Sequence, residues 1–143
     1  MADMRDRNRR VIEEFRANGG KVEGPFAGSP LLLLTTTGAK SGLPRTTPVM
    51  YLPDAEPLLV FASKAGAPTS PDWYHNLVAH PAVTVEIGAE CFEAEAQVVS
   101  GAERDRLYGQ MAARFTRFKE YQEQTTRLIP VIALRRMSGG ASA

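Results

Sequence analysis

A turn rich in glycine and polar residues is the first segment whose residue types suit ligand chemistry. The segment GAKSGLPR, from Gly38 to Arg45, contains two glycines that let the backbone approach an anion. Lys40, Ser41 and Arg45 offer hydrogen-bond donors to such an anion. The segment is not a Walker A loop, because Ala39 precedes the lysine where that motif has glycine. From spacing alone, a solvated hairpin turn is the commoner interpretation, and a phosphate cradle is the alternative.

A loop of small residues followed by a short predicted helix forms a second constellation. The loop spans Phe61 to Ala67, and the helix carries Trp73 and Asn76. Small residues let backbone amides approach a planar ring, and Trp73 and Asn76 stand three apart on one helix face. The alternative is that Trp73 and Leu77 anchor the helix to the rest of the fold. The two interpretations are compatible.

The remaining polar residues do not suggest a metal site or a nucleophilic triad. His75 and His80 lie far from Cys91 and from acidic residues at ligand spacing, so we predict no metal ligand. The alternating run from Glu93 to Gln97 is typical of the solvated face of an antiparallel strand. No arrangement of nucleophile, base and acid is apparent in the sequence.

Composition limits the class of protein. The chain has 143 residues, 43% of them hydrophobic and 23% charged, which predicts one folded domain. A formal net charge of +1 gives no overall field for nucleic acid. The single cysteine and an N-terminus without a signal-peptide apolar core favour a cytoplasmic protein.

Residue patterns divide the chain into a helix at residues 1–20, flexible or surface-associated, a domain at 21–137 and a disordered tail at 138–143. Periodicity and turn residues predict six strands and three helices. The predicted strands are Leu31–Thr37, Thr46–Leu52, Leu58–Ser63, Val83–Ile87, Phe92–Val98 and Pro130–Leu134; the predicted helices are Met4–Asn18, Pro71–Ala79 and one that begins near Ala102 and carries Phe115.

The order of these elements predicts a mainly β fold with peripheral helices. Successive strands joined by short turns, among them the pair on either side of residues 53–57, favour antiparallel hairpins in a closed or partly closed barrel. Pro48 cannot donate a ladder hydrogen bond, which places it at an edge or a bulge. A Rossmann domain is disfavoured, because no glycine fingerprint joins a first strand to a helix.

Together, these motifs resemble the deazaflavin-dependent nitroreductase family. GAKSGLPR, Phe61-Ala62-Ser63, the run from Pro71 to Leu77 and His80-Pro81 follow in the family's order. The resemblance extends from about Leu31 to Val131. It implies a split β-barrel of the FMN-binding type, F420 as cofactor, and reduction of quinones or other activated lipophilic acceptors.

The resemblance also assigns residues to the cofactor. Lys40, Ser41 and Arg45 match positions that hold its phosphate and acidic tail, and Pro48 matches a family proline at the edge of that site. The remaining cofactor contacts are assigned to Ala62, Ser63, Lys64, Ala65, Gly66, Trp73 and Asn76.

Further matched positions surround the acceptor. Met50, Phe115, Phe118 and Tyr121 stand where the nitroimidazole-activating member of the family has tyrosines, and only Tyr121 keeps the hydroxyl. This favours a general reductase over nitroimidazole activation. Ser63 and Tyr121 are the predicted catalytic residues, and core packing is the alternative role for Phe115 and Phe118.

Three alternatives stay open at this stage. The chain could carry F420 without turnover, or it could use FMN, since split barrels bind both cofactors. The N-terminal helix could also contact the inner face of the plasma membrane weakly, because its arginines are partly balanced by acidic residues. The sequence does not determine the oligomeric state.

Overall fold

The computed structural model describes residues 4–22, 28–53 and 55–137. The predicted tail, 138–143, lies outside this range. The helices are α1 Met4–Ala17, α2 Asp72–Ala79, α3 Gly101–Arg114 and α4 Thr116–Gln124; the strands are β1 Leu31–Thr37, β2 Pro44–Met50, β3 Leu58–Phe61, β4 Ala82–Ile87, β5 Glu90–Val99 and β6 Val131–Arg136. A 3-10 turn spans Lys64–Gly66.

The strands form one antiparallel sheet in the order β2-β1-β4-β5-β6-β3. Its two edge strands meet again at a bridge between Tyr51 and Val60, where the Leu52 N–H donates to the Leu59 carbonyl at 3.1 Å. The sheet therefore curls into a barrel that is closed over a short stretch. The predicted split β-barrel is confirmed, and so is the edge position of Pro48.

Two details of the element prediction are wrong. The strand containing Thr46–Leu52 meets β3 only at the Tyr51 bridge and not in a hairpin, because β3 pairs along its length with β6. The helix predicted to carry Phe115 ends one residue earlier, since Phe115 has an extended backbone with φ −131° and ψ 100°. A separate helix, α4, follows that break.

The barrel interior is a continuous apolar core that α2 closes at one end. Trp73, 7% exposed, and Leu77 of α2 pack among inward-facing strand residues such as Leu34 and Val85. Burial of these side chains drives the sheet to curl around them. A second core lies outside the barrel, where α3 and α4 cover β3 and β6 through Met111 and other residues.

The first helix is held against the outer surface of the barrel. Phe15, 1% exposed, packs on Leu31 and Leu33 of β1. The Arg16 guanidinium donates to both carboxylate oxygens of Glu86, at 2.9 and 2.8 Å. Thus the C-terminal half of α1 is part of the packed structure. Among the described residues, no helix is long and apolar enough to cross a membrane.

Candidate active site

Strand direction gathers the predicted site segments at one end of the barrel. In the antiparallel sheet, β1 and β3 end where β2 and β6 begin. The turn 38–43, the loop 62–70 and α2 therefore share this end. Both constellations found in the sequence therefore lie at the same end of the barrel.

The free edge of β2 borders an opening in the barrel wall. Beyond the Tyr51–Val60 bridge, no strand among the described residues pairs with this edge. We call the opening between β2 and the loop 62–67 the split. Arg45 and Pro48 lie along the free edge, on opposite faces of the strand because they are an odd number of residues apart.

Backbone hydrogen bonds close the turn 38–43 tightly. The Gly38 N–H donates to the Leu43 carbonyl at 2.8 Å, and the Gly42 N–H donates to the Gly38 carbonyl at 2.9 Å. Gly42 has a φ of 72°, which favours glycine. The Ser41 hydroxyl oxygen accepts from the Leu43 N–H at 3.2 Å. The turn is therefore a defined structure, and it displays Lys40 at its exposed tip.

Asn76 of α2 joins this turn to the barrel. Its side-chain oxygen accepts from the Ala39 N–H at 2.9 Å, and its side-chain nitrogen donates to the Thr36 hydroxyl at 3.1 Å. Thr36 stands directly opposite Arg45 in the β1–β2 ladder, so the two side chains lie on one face. Asn76 and Arg45 thus belong to the same end of the barrel.

The basic side chains of this region carry unneutralised charge. Lys40 and Arg45 are exposed, and neither forms an ion pair with a carboxylate in the described part of the chain. Since Ser41 adds a hydroxyl, the region offers two cations and polar donors to an anion. A phosphate cradle needs such donors, although an exposed hairpin turn can carry them too.

On the other side of the split, the chain leaves β3 in a sharply bent loop. Ala62 is fully buried in the barrel core, and Ser63 is 9% exposed. The Ser63 carbonyl accepts from the Gly66 N–H at 2.9 Å. Lys64 has a φ of 46°, which is uncommon for a residue with a side chain and marks local strain. Only the backbone of Ala65 is described.

The Ser63 hydroxyl is available to a ligand. It forms no hydrogen bond with the described residues. Among these residues, every fully enclosed side-chain oxygen or nitrogen has a hydrogen-bond partner, so the Ser63 oxygen is not fully enclosed. Its oxygen is therefore accessible at the surface of an otherwise buried residue. Such a group hydrogen-bonds either water or a bound molecule.

Helix α4 forms the wall of the split next to this loop. A Cβ at Gly66 would lie 3.0 Å from the Tyr121 carbonyl oxygen, so the loop and α4 are in direct contact. The Arg117 guanidinium of α4 approaches the Met50 sulfur of β2 at 3.9 Å. Helix α4 therefore reaches from β2 to the loop 62–67.

The four predicted acceptor-pocket residues pack on one apolar cluster, but not all of them line an opening. Met50, Phe115 and Tyr121 are partly buried at its margin. Phe118 is 3% exposed, and its ring makes edge contacts with Phe61 at 5.9 Å and with Tyr121 at 5.3 Å between centroids. In this structure Phe118 packs in the core, and Tyr121 lies between that core and the loop.

An arginine that sequence reasoning did not single out holds the loop in place. The Arg127 guanidinium donates to the carbonyls of Ala62, Ser63 and Ala67, at 3.2, 3.0 and 2.9 Å, and to the Ser70 hydroxyl at 3.2 Å. Burial lowers the pKa of Arg127 from its ordinary value. Its partners lie 57 to 65 positions away, so no local pattern marks it.

A separate pocket lies away from the candidate site. This pocket has a volume of about 480 Å³ and lies between α3 and strands β3, β5 and β6. None of the predicted site residues lines it. Its charged side chains are partly paired, as in the ion pair between Arg106 and Glu103. No group of three or more potential metal ligands occurs among the described residues.

Comparisons with known proteins identify the family of the chain. A family model described as F420H(2)-dependent quinone reductase matches residues 7–136. The Mycobacterium tuberculosis protein named F420H(2)-dependent quinone reductase Rv1261c is 40% identical over 126 residues, which cover 85% of each chain. The matched part includes both sides of the split.

Solved structures resemble the chain in fold as well. An F420-H2 dependent reductase, FDR-A, has a TM-score of 0.67 at 37% identity and covers 74% of this chain and 94% of that one. HutZ, a heme storage protein from Vibrio cholerae, has a TM-score of 0.59 at 19% identity and covers 90% of this chain and 89% of that one. The second likeness concerns the fold alone.

Proposed function

The chain belongs to the F420H(2)-dependent quinone reductase family, and from this membership we propose that it reduces hydrophobic acceptors at the split. It is an oxidoreductase whose cofactor is F420, and the resemblance noted in the sequence is confirmed at this level. The proposal adds the acceptor class, quinones, enones or nitroaromatics, and the residues that bind cofactor and acceptor.

The turn 38–43 fits the anionic end of F420. Lys40 and Arg45 carry positive charge that no carboxylate of the described residues neutralises, and Ser41 supplies a hydroxyl. Charge-assisted hydrogen bonds to phosphate are about twice as strong as neutral ones. The hydrogen bond from the Ala39 N–H to Asn76 holds the backbone of this turn in place when no anion is present.

The loop 62–67 fits the planar end of the cofactor. Its residues are small apart from Lys64, so the backbone can approach a ring closely. The Ser63 hydroxyl is accessible and has no partner among the described residues. Both features lie beside α4, which carries Tyr121.

In this arrangement the protein provides orientation and electrostatics, and reduced F420 supplies the hydride from C5 when bound. Lys40 and Arg45 anchor the anionic end, which fixes the ring relative to the loop. Ser63 and Tyr121 donate hydrogen bonds to the acceptor oxygen where negative charge develops. Tyr121 or water then provides the proton.

The observation that carries this proposal is that the split lies between two segments with groups suited to bind a ligand, the basic segment 38–45 and the loop 62–67. Unpaired cations lie on one side, and the small-residue loop with its accessible hydroxyl lies on the other. A carrier of F420 and an FMN enzyme would use the same features, and both are therefore outcomes of the experiment. Location in the cytoplasm and membrane contact through α1 stay predictions.

The test is a fluorescence titration of F420 with the purified protein, with FMN in parallel, followed by addition of menadione to the reduced F420 complex. Tight F420 binding with menadione-dependent oxidation supports the proposal. Binding with no oxidation by a panel of quinones, enones and nitro compounds would indicate a carrier. Preference for FMN would contradict the assigned cofactor.

A further inference from the structure

The loop 62–70 owes its conformation to one side chain outside it. Arg127 lies in the connection between α4 and β6, and its guanidinium donates four hydrogen bonds to this loop. Three of the acceptors are backbone carbonyls, those of Ala62, Ser63 and Ala67. A planar guanidinium with donors in a fixed fork can hold several carbonyls at once, which an ammonium group cannot do in the same geometry.

These bonds replace the strand pairing that ends at Phe61. The Ala62 N–H still donates to the Pro130 carbonyl at 3.0 Å, but the register of β3 with β6 stops one residue earlier. The carbonyls of Ala62 and Ser63 then point to Arg127. Without the guanidinium, the Ala62 carbonyl would lose its partner at a buried position, which is costly, and the Ser63 carbonyl would keep only the Gly66 N–H.

Arg127 itself is fixed to α4. Gln122 donates from its side-chain nitrogen to the Arg127 carbonyl at 2.8 Å, and its side-chain oxygen accepts from the Ile129 N–H at 3.1 Å. Gln122 directly follows Tyr121 on α4. A short chain of hydrogen bonds therefore connects the helix that carries Tyr121 with the loop that carries Ser63.

We propose that Arg127 is a positioning residue that sets the loop 62–67 relative to α4, and so sets the distance between the cofactor ring and the acceptor. The inference rests on the proposed function, since it concerns the same split. Arg127 donates to backbone carbonyls of the loop and is not among the residues that we assign to the cofactor or the acceptor. A misplacement of about 1 Å in such an arrangement can lower the rate on the order of 100-fold.

The experiment compares Arg127→Gln and Arg127→Lys with Arg104→Lys. Arg104 is a buried arginine of the same network: its guanidinium donates to the Ile129 carbonyl at 3.0 and 2.9 Å and to the Gln122 side-chain oxygen, but to no atom of the loop. It therefore separates the direct bonds from Arg127 to the loop from the hydrogen-bond network around Gln122. For each protein we would measure the melting temperature, the Kd for F420, and kcat and KM for menadione. Hydrogen exchange of the amides 63–70 is followed without cofactor.

Both Arg127 variants should raise the Kd for F420 about tenfold, because the cofactor must then order a loop that has lost the hydrogen bonds holding it. They should lower kcat/KM on the order of 100-fold and speed exchange at 63–70. Arg104→Lys should lower the melting temperature without these changes. Arg127→Lys keeps the charge and most of the side-chain volume. If Arg127→Gln does not fold, this variant still tests whether the guanidinium positions the loop.

An unchanged Kd and unchanged exchange in Arg127→Lys would overturn the inference, and so would equal effects in Arg104→Lys. Failure of the wild-type protein to bind F420 is a separate result, which contradicts the proposed function. The exchange measurement needs no cofactor and still tests whether Arg127 orders the loop.

Discussion

The side-chain oxygen of Asn76 accepts a hydrogen bond from the backbone N–H of Ala39 at 2.9 Å, across 37 positions of the chain. The same side chain donates to the Thr36 hydroxyl at 3.1 Å. One amide on α2 therefore satisfies a backbone donor in the turn 38–43 and a side chain on β1. This relationship places the basic turn before any ligand binds.

Replacement of Asn76 by alanine should weaken F420 binding and lower stability. The Ala39 N–H and the Thr36 hydroxyl would both lose their partner, at a cost of roughly 1 to 3 kcal/mol in the free energy of unfolding. Thr36→Val is the control, because it removes the second bond and leaves the first. If the two variants bind F420 equally well in a fluorescence titration, Asn76 does not organise the cradle.

The strands and helices were predictable where the signal is local. The alternation of Val83, Val85 and Ile87 with polar residues gives β4, and the apolar run from Leu31 gives β1. Pro71 precedes α2 as its N-terminal cap. Each of these elements has its determinant within a few residues, so a sequence pattern is sufficient.

What the sequence could not predict depends on contacts between distant residues. Arg127 has the same local surroundings as any surface arginine, and only the fold brings it to the loop 62–70. The break at Phe115 has no glycine or proline to announce it. Similarly, the pairing of β3 with β6 joins segments some 70 residues apart. The site residues were predicted from the order of the family motifs along the chain. Each motif alone could also be explained as an ordinary structural feature, such as a solvated hairpin turn or a helix anchored to the core.

Contact between Gly66 and α4 predicts that Gly66→Ala is strongly destabilising. Its φ of 81° disfavours a side chain, and a Cβ would lie 2.7 Å from the Gln124 side-chain oxygen and 3.0 Å from the Tyr121 carbonyl. Gly88→Ala is the control, since Gly88 has a φ of 58° and open space around it. We expect Gly66→Ala to lose about 1 to 3 kcal/mol more in urea unfolding. Equal losses would mean that the loop moves away from α4 at no cost.

The unpaired cations predict an electrostatic contribution to F420 binding. Lys40→Gln and Arg45→Gln should each raise the Kd about tenfold at low ionic strength, and less at high salt, because salt screens exposed charges. Arg135→Gln removes the same charge at an exposed position near the end of β6, where Arg135 donates to Gln97. An equal effect of Arg135→Gln would show that overall charge, and not the turn, attracts the anion.

Tyr108 predicts a loss of stability at alkaline pH. Burial raises the pKa of Tyr108 from 10.0 to about 12, and its hydroxyl donates to the Phe118 carbonyl at 2.6 Å. The unfolded chain releases this proton at its ordinary pKa, so it binds fewer protons than the folded chain above about pH 10. The contribution of Tyr108 to the free energy of unfolding is fully present below that pH, and at most about 2 to 3 kcal/mol of it is lost towards pH 12. Tyr108→Phe should lack this share of the pH dependence in urea unfolding at pH 9 to 11, and an identical slope would refute the assignment.

Tyr121 offers the sharpest test of the acceptor side. Its ring contacts Phe118, and its hydroxyl forms no hydrogen bond with the described residues, so it is free to meet an acceptor. Tyr121→Phe keeps the ring and removes the donor, and we expect kcat for menadione to fall up to about 100-fold. The Kd for F420 should stay the same, because Tyr121 is assigned to the acceptor and not to the cofactor.

Tyr108→Phe is the matched control for this change. It removes a tyrosine hydroxyl from the same apolar cluster, but one that is already bonded to Phe118, so it should lower stability by about 1 kcal/mol and leave kcat unchanged. Ser63→Ala tests the other predicted donor in the same assay. If Tyr121→Phe keeps full turnover while Ser63→Ala loses it, the developing charge is stabilised from the loop, and water supplies the proton. If both keep full turnover, neither side chain takes part, and orientation of the cofactor must account for the rate.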